Sequence, residues 1–152
     1  GDIDRLQAFI KGLSVDTRYQ RFMHGVSELP PALAASLANA DGHRHVGLVA
    51  MARLHDGAEV QVADARLVTR DDAPVGDFAI VVADAWQNAG LGSHLIREVR
   101  RAAIDRALDR IEAEVLGTNG RTIALLRRLG FSVGSHPEDR RLVRAFQDFT
   151  QA

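Results

Sequence analysis

Cysteine is absent from the 152 residues. That excludes a disulfide framework, a thiolate zinc site and a cysteine nucleophile. Any acyl group the chain handles cannot rest on a thiol of its own. A charge excess is missing too: Lys+Arg 19 against Asp+Glu 20 leave a formal net charge of −1. Such a balance lacks the basic footprint that drives non-specific nucleic-acid binding. No apolar run approaches the ~20 residues of a membrane helix. The opening stretch, Gly1-Asp2-Ile3-Asp4-Arg5, is too polar for a secretory signal. Lysine is nearly missing as well, Lys11 against 18 Arg, which reads as coding-composition bias. Single domains run roughly 100–200 residues, so a thiol-free, cytoplasmic, one-domain protein is the expectation.

The 46% of apolar residues falls into regular patterns. Ile3, Leu6, Phe9, Ile10 and Leu13 recur at helical spacing, predicting a helix over 2–13. Ser14 is a fitting cap for a second short helix to Met23, and Pro30-Pro31 starts a third over 32–39. Strand-like runs follow at 45–54, 60–69 and 77–82, separated by turns at Asp56-Gly57 and Asp71-Asp72-Ala73-Pro74. The run at 77–82 is apolar on both faces and therefore central. The period then changes: a long amphipathic helix over 93–108, a strand over 110–116, and a helix from the cap Asn119 to Leu129, stopped by Gly130. Final strands are expected at 131–133 and 141–146. This order implies an α/β fold, a mixed sheet with helices on its faces.

The most informative segment is the strand-to-helix turn Gln87-Asn88-Ala89-Gly90-Leu91-Gly92-Ser93. Such a turn exposes unpaired N–H groups at a helix N-terminus, where the helix dipole also favours an anion. Glycine lets the backbone approach a ligand with no Cβ in the way. A phosphate or pyrophosphate cradle is one reading, and a plain tight connection is the other. A Walker loop is excluded, because Gly92 is followed by Ser93-His94 instead of Lys and Ser/Thr. A dinucleotide fingerprint fails as well, since Leu95 stands where the third glycine belongs.

Gln87-x-x-Gly90-x-Gly92 resembles the Q/R-x-x-G-x-G/A signature of the GNAT superfamily of N-acetyltransferases. Three further stretches extend the resemblance over roughly residues 2–147. The segment from Asn119 to Gly130-Phe131 is similar to the superfamily's second signature. Leu13 to Phe22 resembles the L-S-x-x-[ST]-x-Y-x-R-F stretch of bacterial protein-lysine acetyltransferases. Asp77-Phe78-Ala79-Ile80-Val81-Val82, followed by Asp84-Ala85-Trp86-Gln87, is close to that subfamily's E-F-A-V-x-V…D-x-W-Q. The resemblance implies a GNAT-like fold, a mostly antiparallel sheet with helices on both faces. It also implies one domain over 1–152, with a helical front at 2–39 and a coenzyme-binding core at 45–147. The family's first strand precedes its first helix, so a truncated or processed start lacking that strand is expected.

The implied donor is acetyl-CoA. Val81, Val82 and Ala83 would offer backbone groups to its pantetheine arm. Gln87, Asn88, Ala89, Gly90, Leu91, Gly92 and Ser93 would hold its pyrophosphate. Asn88-Ala89 replaces the usual Gly-Arg or Gly-Lys, so one cation near the pyrophosphate is lost. Asn119 would meet the pantetheine or pyrophosphate, although a helix cap explains it equally well.

Amide formation needs a neutral amine, and with a pKa of ~10.4 only about one lysine in a thousand is neutral at pH 7. A carboxylate in reach takes the proton. The resemblance puts that role on Asp77, with Glu114 in reserve. A tyrosine that would protonate the leaving thiolate is replaced by Leu126, and Tyr19 reads as a packing residue. Without cysteine, direct attack of the amine in a ternary complex is favoured over an acyl-enzyme. His43-Arg44-His45 has no evident third ligand, so no metal is expected. His24, His55, His94 and His136 read as surface residues, and Arg18 and Arg21 as a solvated helical face. The expected acceptor is a primary amine, preferentially a protein lysine. A small-molecule amine and a catalytically weak acyl-CoA-binding regulatory domain are the alternatives. Neither nucleic acid nor membrane is an expected partner, and a homodimer is compatible with the sequence.

Overall fold

The chain order is α1 (Asp2–Lys11), β1 (His45–Arg53), β2 (Glu59–Thr69), β3 (Val75–Val82), a 3-10 turn (Asp84–Trp86), α2 (Leu91–Asp105), β4 (Arg110–Leu116), α3 (Gly120–Arg128), β5 (Ser132–Ser135) and β6 (Leu142–Asp148). The computed structural model describes residues 2–14, 44–53, 56–87 and 90–149. The helices expected from Ser14 to Met23 and over 32–39 fall beyond Ser14 outside the described residues. So do Arg18, Tyr19, Arg21, His24, His43, His55, Asn88 and Ala89.

Six strands form one sheet in the order β1-β2-β3-β4-β6-β5. Every neighbouring pair is antiparallel except β3–β4. The run expected to be central is central. One face buries Ala65, Leu67, Phe78, Ile111, Ala113 and Ala145 against Leu95, Ile96, Val99 and Ala103 of α2 and Leu126 of α3. On the other face α1 packs Leu6, Phe9, Ile10 and Leu13 onto Val81 and Ala83 at the end of β3. Burying such a side chain stabilises by about 1.5–3 kcal/mol, so these two layers hold β3 from both sides. None of the described helices is long and apolar enough to cross a membrane.

Two glycines have visible geometric reasons. Gly130 sits at φ 91° just past α3, with the N–H of Phe131 reaching back to the Leu126 carbonyl at 3.0 Å. This is a Schellman stop. At Gly76 a Cβ would lie 2.6 Å from Leu67 Cδ1 and 3.0 Å from Leu108 Cδ1, so glycine leaves room for these two core side chains.

Helix α2 departs from expectation. It ends at Asp105, three residues before Leu108, because Ala107 adopts φ 57° and the Leu108 N–H returns to the Ala103 carbonyl at 3.0 Å. Leu108 is still buried, swung back against the core by that turn. Its apolar character therefore mimicked one more helical position.

Candidate active site

Strands β3 and β4 pair only at Val75–Arg110, Gly76–Ile111 and Asp77–Glu112. Both strands continue well past that point, so they diverge and open a cleft of about 720 Å³. Its walls include Phe78 to Val82 on one side and Ala113 to Val115 on the other.

The antiparallel ladder decides which β3 groups face the cleft. Odd-numbered residues spend their peptide groups on β2: the Ala83 N–H donates to the Val62 carbonyl at 2.8 Å, and the Val75 carbonyl accepts from Arg70 at 2.9 Å. Even-numbered residues therefore turn theirs outward. The Gln87 amide, which donates to the Val82 carbonyl at 3.0 Å from the cleft side, agrees. Among Val81, Val82 and Ala83, only Val82 turns its main-chain groups toward the cleft, its carbonyl already accepting from Gln87 and its N–H facing the cleft. The Val81 side chain packs on α1, and the Ala83 carbonyl is taken by Trp86. Ile80, two residues before Val82, shares its direction, which ladder parity decides and a single strand's sequence does not reveal.

At the cleft mouth Gly90 adopts φ 83° and caps α2 with no side-chain hydrogen bond. A left-handed residue there favours glycine. Gly90 itself therefore gives the first-turn N–H groups of α2 no side-chain acceptor, and that turn carries no acidic residue. Gly92 and Ser93 line the cleft, and a Cβ on Gly92 would press Leu125 at 3.3 Å. Leu91 packs instead against the core. Asn88 and Ala89, expected in the same loop, lie outside the described residues.

Helix α3 supplies the facing wall. Asn119 accepts the Thr122 N–H at 3.3 Å, which makes it the helix cap, and it also lines the cleft. Arg121 lines the cleft and donates to Gln87 Oε1 at 2.6 Å, joining α3 to the glycine turn. It brings a cation to the mouth that no motif announced. Leu126 is 1% exposed and brings no polar atom to the cleft it touches.

The two carboxylates singled out from sequence have different surroundings. Asp77 does not line the cleft. Arg70 grips both of its oxygens, at 2.7 and 2.9 Å, and also binds Glu112 Oε2. The Asp77 hydrogen bonds push the Arg70 guanidinium further above its ordinary value, partial burial opposes them, and Glu112 adds to them. Glu112 is buried and is approached by Arg110 at 3.1 Å and Arg144 at 3.8 Å as well. Glu114 does line the cleft, with its side chain 51% exposed. Its Oε1 lies 2.9 Å from His136 Nε2. His136 is not the surface residue expected, since its side chain is 8% exposed in the β5–β6 loop. That loop is pinned by Asp139, whose carboxyl is held down at about 2 by side-chain and backbone hydrogen bonds from Arg141. His94 is exposed, as expected.

A diverging parallel pair beside a helix N-terminus that starts on a glycine is a site shaped for an elongated, phosphate-bearing ligand. Comparison with known proteins agrees. The model of the acetyltransferase (GNAT) family matches residues 13–131. An acetyltransferase of Pseudomonas aeruginosa is 28% identical over 138 residues, covering 91% of this chain and 74% of that protein. The crystal structure of the GNAT domain of S. lividans PAT superposes with a TM-score of 0.86 at 25% identity, over 97% of this chain and 85% of that one. A GNAT-family acetyltransferase from Streptococcus pneumoniae shares the fold, with a TM-score of 0.72 at 20% identity over 97% and 94% of the two chains. The chain belongs to the GNAT acetyltransferase family and is an N-acetyltransferase that draws its acetyl group from acetyl-CoA.

Proposed function

We propose that this enzyme acetylates protein lysine side chains by direct transfer from bound acetyl-CoA, with Glu114 as the proton acceptor. The observation that carries the reading is the cleft itself. Outward-facing peptide groups of β3 form one wall, and a half-exposed carboxylate stands on the other. The pantetheine arm would lie along β3 as an added strand, using the groups of Ile80 and the N–H of Val82. The pyrophosphate fits against the α2 N-terminus, with Arg121 as the nearby cation. The sequence stretches similar to protein-lysine acetyltransferases and the likeness to the GNAT domain of S. lividans PAT support a lysine acceptor.

In the proposed reaction Glu114 takes one proton from the lysine ammonium, directly or through a water. The neutral nitrogen attacks the thioester carbonyl carbon, forming the C–N bond. The C–S bond then breaks, and CoA leaves as a thiolate. The second nitrogen proton is released, and solvent protonates the thiolate. Leu126 cannot supply that proton. The chain has no thiol to hold the acetyl group in between. Asp77, expected in the proton-accepting role, has both oxygens committed to Arg70, so the role passes to Glu114.

Initial rates with lysine peptides and with a panel of amino acids and polyamines, at varied acetyl-CoA, test this. The reading expects the higher kcat/KM with peptides and intersecting double-reciprocal lines. Preference for free amines would replace the acceptor, and parallel lines would replace direct transfer.

A further inference from the structure

Glu114 and His136 come from β4 and the β5–β6 loop and meet at 2.9 Å through Oε1 and Nε2. The other ring nitrogen decides which partner donates. Nδ1 of His136 accepts the backbone N–H groups of Glu138 at 3.1 Å and of Asp139 at 3.0 Å. A nitrogen accepting two N–H groups carries no hydrogen, so the ring hydrogen is on Nε2 and is donated to Glu114. The turn that supplies these N–H groups is itself braced, because Arg141 binds Asp139 through Nε at 3.2 Å and through its terminal nitrogen at 2.9 Å. The ring therefore has one orientation, and its donor points at one carboxylate oxygen.

We propose that His136 is a positioning residue for Glu114: it fixes Oε1 so that Oε2 is presented to the amine at the cleft. The inference rests on Glu114 being the proton acceptor. A glutamate on an open strand edge has several rotamers, and half of this side chain is exposed. Without a partner the carboxylate would spread over these states. With Oε1 held, Oε2 has no protein partner among the described residues, in a side chain that lines the cleft.

The two duties of His136 separate chemically. Nδ1 organises the turn at 136–139, and the Nε2 hydrogen holds Glu114. An asparagine at this position places an oxygen where Nδ1 was and can accept the same N–H groups, as in an Asx turn. It has nothing in the place of Nε2. H136N therefore keeps the turn and removes the donor to Glu114, whereas H136A removes both.

The test compares kcat, amine KM, acetyl-CoA affinity and Tm for the wild type, E114Q, H136A, H136N and the H136N/E114Q double variant. The expected result is that H136N melts with the wild type and binds acetyl-CoA equally well, yet loses about ten- to a hundredfold in kcat. H136A loses as much rate and melts lower. In the E114Q background H136N removes nothing more, because a positioning loss vanishes with the group positioned. H136N with wild-type kcat would overturn the proposal, as would an H136N loss that multiplies fully with E114Q. The double-variant comparison decides even if H136N melts lower, since a purely structural loss persists in both backgrounds. Wild-type turnover by E114Q would instead remove the underlying assignment of Glu114.

Discussion

Asp77 and Glu112 face one another at the last paired position of β3 and β4, and a single guanidinium, Arg70, binds both. The sheet divides immediately beyond this clamp. Two carboxylates on adjacent strands would repel one another without it, so the cation holds the strands together where the cleft begins.

The first prediction concerns this clamp. R70M should destabilise the fold by about 1–2 kcal/mol, less than for a fully buried ion pair because Arg70 and Asp77 are partly exposed. D77N should cost about 0.5 kcal/mol, since Glu112 keeps its three arginine neighbours. Urea denaturation of the two variants beside the wild type checks the order.

Gly90 carries the second. An alanine there must adopt a left-handed conformation at a cost of about 1–2 kcal/mol, or else shift the first turn of α2. A Cβ at this position meets nothing within 4 Å, so the effect comes from backbone conformation and not from a clash. G90A should weaken acetyl-CoA binding by roughly tenfold if it re-orients those N–H groups. Isothermal titration with acetyl-CoA measures it.

Arg121 carries the third. A charge-assisted contact at a partly exposed mouth is worth about 1.4 kcal/mol, so R121A should raise the Kd for acetyl-CoA about tenfold. The same variant should leave KM for S-acetylpantetheine, which lacks the pyrophosphate, near the wild-type value. Equal losses with both donors would show that Arg121 acts through Gln87 and the glycine turn instead.

These features are written unequally in the sequence. The succession of helices and strands along the chain, the glycine stop at Gly130 and the turn at Gly90 were legible, because each follows from local spacing and from what glycine alone can do. The end of α2 was not, because an alanine in a left-handed conformation gives no warning. The cleft-facing groups of β3 follow from ladder parity, which a single strand does not reveal. The Arg70 clamp links positions 42 residues apart, and the Glu114–His136 contact links positions 22 apart. Neither pairing leaves a mark in composition or periodicity. His136 looked like surface because histidine usually is, and only its two backbone donors explain why it is not. Asp77 and Glu114 were both legible as carboxylates near the site, but their partners, which distinguish them, were not.

Glu114 and Asp77 are separated most directly by steady-state turnover of E114Q and D77N, side by side, at saturating acetyl-CoA with a lysine peptide. Loss of a general base typically costs about 10²–10⁴-fold. With Glu114 as the proton acceptor, kcat falls by that much in E114Q and changes within about threefold in D77N, and both variants retain acetyl-CoA binding. A large fall with D77N and near-normal turnover with E114Q would overturn the assignment to Glu114 and return the role to Asp77.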